Sequence, residues 1–452
     1  MKARLEIIFQ TGLFSRRYLL FLLYSIRFLK SYLPLLIILN VVKIKLFVIL
    51  LASGLWSCKD QCTETRVVIR EIAITHPFSE IRNSVKVLPP REIEDPGKIV
   101  FKDKYLFVSE IKQGVHVIDN SDPSNPAFIS FIQIPGNGDI IINENVLYAD
   151  SFCDLVSLDI TDPANAKETG RSPVLFKSGW FNGIWWSADQ NGLFFNEYKK
   201  DTIVETAAVD CEDNTQFVEP PIIDEIRISP EYLDFSKTPP RFVIQYNYLY
   251  TSDAGSLGIF NLNNKTNLSP QISLAFRIVF ANISSYQNKI FIGDGSSVSI
   301  YDNSNPPIPD FVSSLDSVSL CDKIVVQNDI AYIAQREKTI CGNENQLKLF
   351  DISNISAPRF IKKFPMDGPR ALSIDFPVLY VCEGTGGFKV FDVRDTATID
   401  QHLLSHEKDI QANNVFVRGK NVFVTATDGL YQLDATDPKN LRRLSKIPFK
   451  KI

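Results

Sequence analysis

LFVSEIKQGVHVIDNSDPSNP, residues 106–126, holds the pattern that decides the fold. An apolar triplet leads into a turn, a second apolar run ends in Asp119, and an Asn/Ser/Asp/Pro cluster follows. The same order returns in LYADSFCDLVSLDITDPANA (147–166), LFFNEYKKDTIVETAAVDCEDN (193–214), LYTSDAGSLGIFNLNNKTN (249–267) and IFIGDGSSVSIYDNSNPP (290–307). It returns again in AYIAQREKTICGNENQLKLFDISNISAP (331–358), LYVCEGTGGFKVFDVRDTATI (379–399) and VFVTATDGLYQLDATDPKN (422–440). The punctuating residues are Asp119, Asp159, Asp210, Asn261, Asp302, Asp351, Asp392 and Asp434, spaced 40 to 51 apart. A period of that length marks a propeller or a solenoid.

Each unit has room for four strand-sized runs, lettered A to D; in the first they are 98–102, 105–109, 115–119 and 127–133. Runs such as VHVID are apolar throughout, which suits sheets covered on both faces. No helical period competes after residue 58. The expectation is an all-β β-propeller of eight four-stranded blades over residues 98–449. The third unit is the weakest, because LFFNEY and IVETAAVD must supply strands B and C; if that segment is an insertion the count is seven. Residues 84–88 (SVKVL) and 441–449 (LRRLSKIPF) both read as D strands. One of them is expected to complete the last blade and close the ring; the first lies in an N-terminal tether spanning 58–97.

Three of the quoted runs, VHVIDNSDPSNP, VSLDITDPANA and LKLFDISNISAP, resemble the LVIVD repeat of exported bacterial propellers. The resemblance implies a propeller and a location outside the cytoplasm. It implies no chemistry.

The first 57 residues hold eight of the chain's 48 Lys and Arg and one of its 52 Asp and Glu. The remainder is therefore acidic, with no basic stripe, which argues against nucleic acid as a partner. The uncharged runs in this leader are broken by Arg27, Lys30, Lys43 and Lys45 before reaching the roughly 18–20 apolar residues of a spanning helix. Lys43 and Lys45 followed by Leu46–Leu51 read as a signal peptide. The end, Leu55-Trp56-Ser57-Cys58, resembles a lipobox, with Trp56 where a small residue is usual. Lipidation is expected at Cys58, which would put the protein at the cell envelope, on the outer membrane, as a lipid-anchored monomer. Translation is expected to start near Val41 or Val42, the alternative being a genuine extended leader.

The repeated Asp residues are expected to cap turns through their own backbone, not to bind metal. His402 and His406 fall in a strand and its flank, where a spacing of four residues spans about 13 Å. No metal or cofactor motif is present, and Gly384-Thr385-Gly386-Gly387 precedes no helix. Cys321 and Cys341 are a candidate disulfide across the A and B strands of the sixth unit, two free buried thiols being the other reading. Trp180 and Trp185 are the candidate binding surface, with Lys177–Gly183 read as a D–A loop and Ile184 as the start of an innermost strand. The alternative is that these rings fill core. The function expected is a binding or scaffolding module for protein, peptide or glycan. The alternative is a propeller enzyme, a glycan lyase or hydrolase, with its site at the central channel.

Overall fold

The computed structural model describes residues 61–181, 184–210, 241–253, 256–263, 268–275, 282–294, 297–316, 318, 323–337 and 344–450. Two compact units are present, residues 1–70 with 201–223 and residues 71–200 with 224–452. In the smaller one the described residues belong to two strands, where the Thr65 and Thr206 hydroxyls lie 3.5 Å apart.

The described residues form eight antiparallel sheets. Sheet 1 comprises Pro96–Lys102, Tyr105–Glu110, Gly114–Asp119 and Ala127–Gln133, with Lys86–Leu88 as a fifth strand. Sheet 2 comprises Ile140–Asn143, Val146–Ser151, Asp154–Asp159 and Lys167–Ser172. Sheet 3 joins Ser178–Phe181, Ile184–Ala188, Leu193–Asp210 and, from far upstream, Gln61–His76. Sheet 4 comprises Phe242–Gln245, Tyr248–Asp253, Ser256–Asn261 and Ile272–Ala275; sheet 5 comprises Asn282–Tyr286, Lys289–Asp294, Ser297–Asp302 and Asp310–Leu315. Sheet 6 comprises Lys323–Gln327, Ile330–Gln335, Gln346–Asp351 and Arg359–Pro365. Sheet 7 comprises Ala371–Asp375, Val378–Cys382, Phe388–Asp392 and Leu403–Glu407, and sheet 8 comprises Ala412–Arg418, Asn421–Ala426, Gly429–Asp434 and Arg442–Pro448.

Local chemistry makes these hairpins. The A–B turns carry residues with positive φ, among them Asp103 (52°), Glu144 (51°), Asn247 (65°) and Asn328 (51°). That is the backbone of a tight two-residue hairpin, and short polar side chains tolerate it best. The C–D turns are built by the punctuating Asp. Asp119 Oδ1 accepts from the Ser121 N–H and hydroxyl; Asp159, Asp302, Asp351 and Asp434 do the same two residues on. The Asp210 side chain lies outside the described residues. Between strands C and D the ladder shifts register at the same place in sheets 1, 5, 6, 7 and 8. Each shift is a bulge that adds twist.

The cores lie between sheets. One cluster joins Phe107, Val117 and Ile132 of sheet 1 to Leu147, Val156 and Leu158 of sheet 2. Others pair sheets 4 and 5, 5 and 6, 6 and 7, and 7 and 8. The last sheet packs on the first: Phe423, Leu430 and Ile447 are buried with Ile99, Leu106 and Val108. Phe101 stacks on Phe416 at 5.0 Å, and Ile93 bridges Phe449.

The third unit departs from expectation. Lys177–Gly183 is not a connection, because Ser178–Phe181 is a strand pairing with Ile184–Ala188, with Trp180 opposite Trp185. Asn182-Gly183, a dipeptide that favours two-residue hairpins, is the signal for it. LFFNEY and IVETAAVD do not form two strands; both lie in the single strand Leu193–Asp210. The innermost strands of sheets 2 and 4 lie directly against each other, as do those of 1 and 2 and of each later pair through 7 and 8. Of the two candidate end strands, the C-terminal one is strand D of sheet 8 and Lys86–Leu88 lies on sheet 1.

Candidate functional site

Strand B of several sheets ends in an acid that turns back onto the loop leading into strand A. Glu110 accepts from the Glu94 N–H at 3.1 Å and from the Asp95 N–H, and meets His116 Nε2 at 2.8 Å. Both side chains are fully buried, and His116 lies against Phe131, ring to ring at 4.8 Å. Asp150 Oδ1 accepts from the N–H groups of Gly138 (2.6 Å) and Asp139 (2.9 Å) and from Asn137 Nδ2 (3.1 Å). Glu383 Oε1 accepts from the Asp367 N–H at 2.9 Å, and its other oxygen pairs with Lys389. These acids satisfy backbone donors of the loops, fully buried ones in the case of Asp150. In the sequence they precede the punctuating Asp by nine residues (Glu110 and Asp119, Asp150 and Asp159, Glu383 and Asp392), a periodic signal that the sequence reading missed.

At the loop end of sheets 1, 2 and 4 a buried charged chain crosses three sheets. Lys98 Nζ pairs with Asp139 Oδ1 at 3.0 Å, and Asp139 Oδ2 accepts from the Arg241 and Phe242 N–H groups at 2.6 and 3.0 Å. The Arg241 guanidinium is 3.7 Å from Asp150 Oδ2 and lies over the rings of Phe176 and Trp186. Burial pushes the Asp150 carboxyl up to about 6, against the pull of Arg241 and two N–H donors. Asp139 and Asp150 are the neighbouring carboxylates that an acid–base reading would seek. Both are withdrawn from solvent, at 1% and 0% exposure, with Oδ1 of Asp150 and Oδ2 of Asp139 given to backbone N–H groups. Nearby, Asp154 receives Arg82 at 2.8 and 3.1 Å and Arg171 at 2.8 Å. Burial works to raise the Asp154 pKa, but the Arg82 bond, the Val174 N–H and Arg171 carry it below the ordinary value.

Two open clefts lie between sheets. One, of about 530 Å³, separates the end of sheet 2 from sheet 4 and is lined by Arg171, Ser172, Pro173, Thr251, Ser256 and Ser269 among others. The other, of about 420 Å³, separates sheets 5 and 6; Ser314, Leu315, Asp316, Phe350, Phe360 and Lys363 line it in part.

Trp185 is half-buried, and the Trp180 side chain lies outside the described residues. The fully buried tryptophan is the adjacent Trp186, edge-on to Phe152 at 5.7 Å. Cys58, Cys321 and Cys341 lie outside the described residues. His406 Nε2 meets the Gly386 carbonyl at 2.8 Å, and no group of three metal-ligating side chains occurs among the described residues. Most exposed large apolar side chains gather at the opposite end, around the A–B and C–D turns: Tyr246, Ile308, Phe311, Phe360, Phe376 and Leu403.

No family model and no curated protein matches the chain. Among solved structures, it is similar to the computationally designed Ika8 protein (TM-score 0.48, 10% identity, 81% of this chain and 92% of that one). It is also similar to Saccharomyces cerevisiae Sqt1 (0.46, 8%, 81% and 89%) and Kluyveromyces lactis Hsv2p (0.38, 9%, 67% and 76%).

Proposed function

We propose that this chain is an exported, lipid-anchored β-propeller that binds or scaffolds protein, peptide or glycan at the cell envelope. Seven sheets form the ring in this reading, and sheet 3 is an elaboration set against sheets 2 and 4. Supporting the ring are the direct packing of successive innermost strands and the shared core of sheets 8 and 1. Supporting the anchor is the run Leu46–Cys58.

The observation that carries binding over catalysis is the use made of Glu110, Asp150 and Glu383. They stand at the ends of the second strands, and they hold in place backbone N–H groups of the loops that lead into the first. A glycan lyase or hydrolase would need such carboxylates free to face substrate. The Cys58→Ala variant is expected in the soluble fraction. Incubated there with cell-envelope oligosaccharides, it should leave them uncleaved by mass spectrometry. A hydrolysis or elimination product would overturn the binding reading in favour of the enzyme.

A further inference from the structure

The two clefts occupy equivalent places in the repeat, and on sheet 1 that place is already filled. Lys86, Val87 and Leu88 pair antiparallel with Gln133, Ile132 and Phe131 at the end of strand D. Val87 packs into the core between sheets 1 and 2, and Gln133 Nε2 donates to the Ser84 carbonyl at 3.1 Å. The registers carry this position across the repeat. Phe131 is the partner of His116, Arg171 of Val156, and Ser314 of Ser299. So Phe131-Ile132-Gln133 corresponds to Arg171-Ser172-Pro173 on sheet 2 and to Ser314-Leu315-Asp316 on sheet 5. All six of those latter residues line the two clefts.

The edges differ in how they are guarded. At the position of Phe131, sheets 2, 6 and 8 present Arg171, Lys363 and Lys446 and sheet 7 presents His406, whereas sheets 4 and 5 present serines, Ser273 and Ser314. Charged side chains on an outer strand discourage pairing with a further chain, and proline removes a donor from it. Sheet 2 has both Arg171 and Pro173. Strand D of sheet 5, DFVSSL, has no basic residue and no proline, its only charges being Asp310 at its start and Asp316 just past its end, and it ends its sheet among the described residues. Its first aromatic, Phe311, is 61% exposed. Across the cleft, Phe350 and the half-exposed Phe360 offer an apolar wall, T-shaped to each other at 5.5 Å.

We propose that the cleft between sheets 5 and 6 is a strand-addition site, which takes an extended peptide segment of a partner protein with apolar residues at alternate positions. The incoming backbone pairs with Ser314–Asp316 as Lys86–Leu88 pairs with sheet 1. Main-chain bonds supply affinity and the Phe350–Phe360 wall selects side chains. The proposal rests on the binding-module reading and names one site and one ligand class for it.

The test uses the full-length protein and, as probe, a fluorescent synthetic peptide of residues 82–90 (RNSVKVLPP) in which a photo-crosslinking residue replaces Pro89, next to Leu88. Saturable binding is expected, with cross-links mapping to residues 310–316 or 346–363. Phe360→Lys and Ser314→Lys should each weaken binding about tenfold, a loss near 1.4 kcal/mol, with melting temperatures held. A probe carrying proline at the Val87 position should not bind. No saturable binding, or cross-links confined to residues 127–133 through exchange with the chain's own strand, would overturn the site. Either result leaves the Cys58→Ala and oligosaccharide outcomes untouched, so the site and the broader reading fail separately.

Discussion

The Ser445 hydroxyl donates to the carbonyl of Pro123 at 2.7 Å, across 322 residues of chain. Ser130 makes the same bond to Pro163, and Ser313 to Ile355, each from strand D of one sheet to the C–D turn of the next. The join between the last sheet and the first is therefore made as the others are. Beside it, Gln432 Nε2 donates to Asn120 Oδ1 at 2.8 Å and Arg418 donates to the Asp103 carbonyl at 3.0 Å.

That join should carry much of the stability. Phe423, 1% exposed, lies among side chains of both sheets. Phe423→Ala should cost about 3–5 kcal/mol in urea unfolding, the usual loss for an aromatic removed from a packed core. Deleting residues 441–450 should be worse, since it strips strand D from sheet 8. Deleting residues 84–90 removes only a fifth strand from sheet 1 and should be the milder change. The reverse order would show that the N-terminal strand, not the C-terminal one, holds the ends together.

The sequence made seven of the eight four-stranded units legible because one chemical device, an Asp or Asn that caps its own turn, repeats with the fold. The acids that lock the loops keep a fixed distance from that Asp in three of the units, but an acid ending an apolar run looks like ordinary strand-end polarity. Sheet 3 was misread for another reason. Its fourth strand, Gln61–His76, arrives from more than a hundred residues upstream, and no local pattern reports a non-local partner. The clefts were invisible for the same reason, being made by pairs of sheets.

Gly179 should tolerate no side chain. A Cβ there would come within 2.5–2.7 Å of the Trp186 ring, which is fully buried and has no room to retreat. Gly179→Ala is expected to cost about 1–3 kcal/mol, as overpacking does, measured by denaturant unfolding. Gly419→Ala is the comparison: nothing lies within 4 Å of its Cβ position. Its cost should come from its positive φ of 57° alone. Equal losses would mean that the Trp186 ring moves aside.

Asp150 should give stability a pH dependence opposite to that of a paired surface acid. Its folded pKa, about 6, is above the ordinary 3.8. An acid whose pKa is raised by folding costs nothing below its unfolded value, destabilises the fold increasingly between the unfolded and folded values, and costs a constant amount above the folded one. A rise of that size corresponds to about 3 kcal/mol. Asp150→Asn keeps an oxygen for the Gly138 and Asp139 N–H groups and cannot ionise. Relative to the unaltered protein, it should therefore gain about 3 kcal/mol between pH 4 and pH 7. Paired unfolding curves at the two pH values check this. A difference that stays flat would mean that Asp150 is not the group titrating.

The cysteine pairing is open to mass measurement. Cys153 and Cys382 are buried free thiols, and burial pushes Cys153 up to about 12, so both are poor nucleophiles in the folded state. Alkylation of the unfolded, unreduced chain should label both. If Cys321 and Cys341 are joined, they should take label only after reduction. Peptide mapping then finds one linked pair, 321 with 341. Such a link closes a loop of about twenty residues, worth roughly 3 kcal/mol on the chain-entropy model. Its removal by Cys341→Ser should lower the melting temperature under oxidising conditions and change nothing under reducing ones. Full labelling of Cys321 and Cys341 without reductant would leave the two as free thiols.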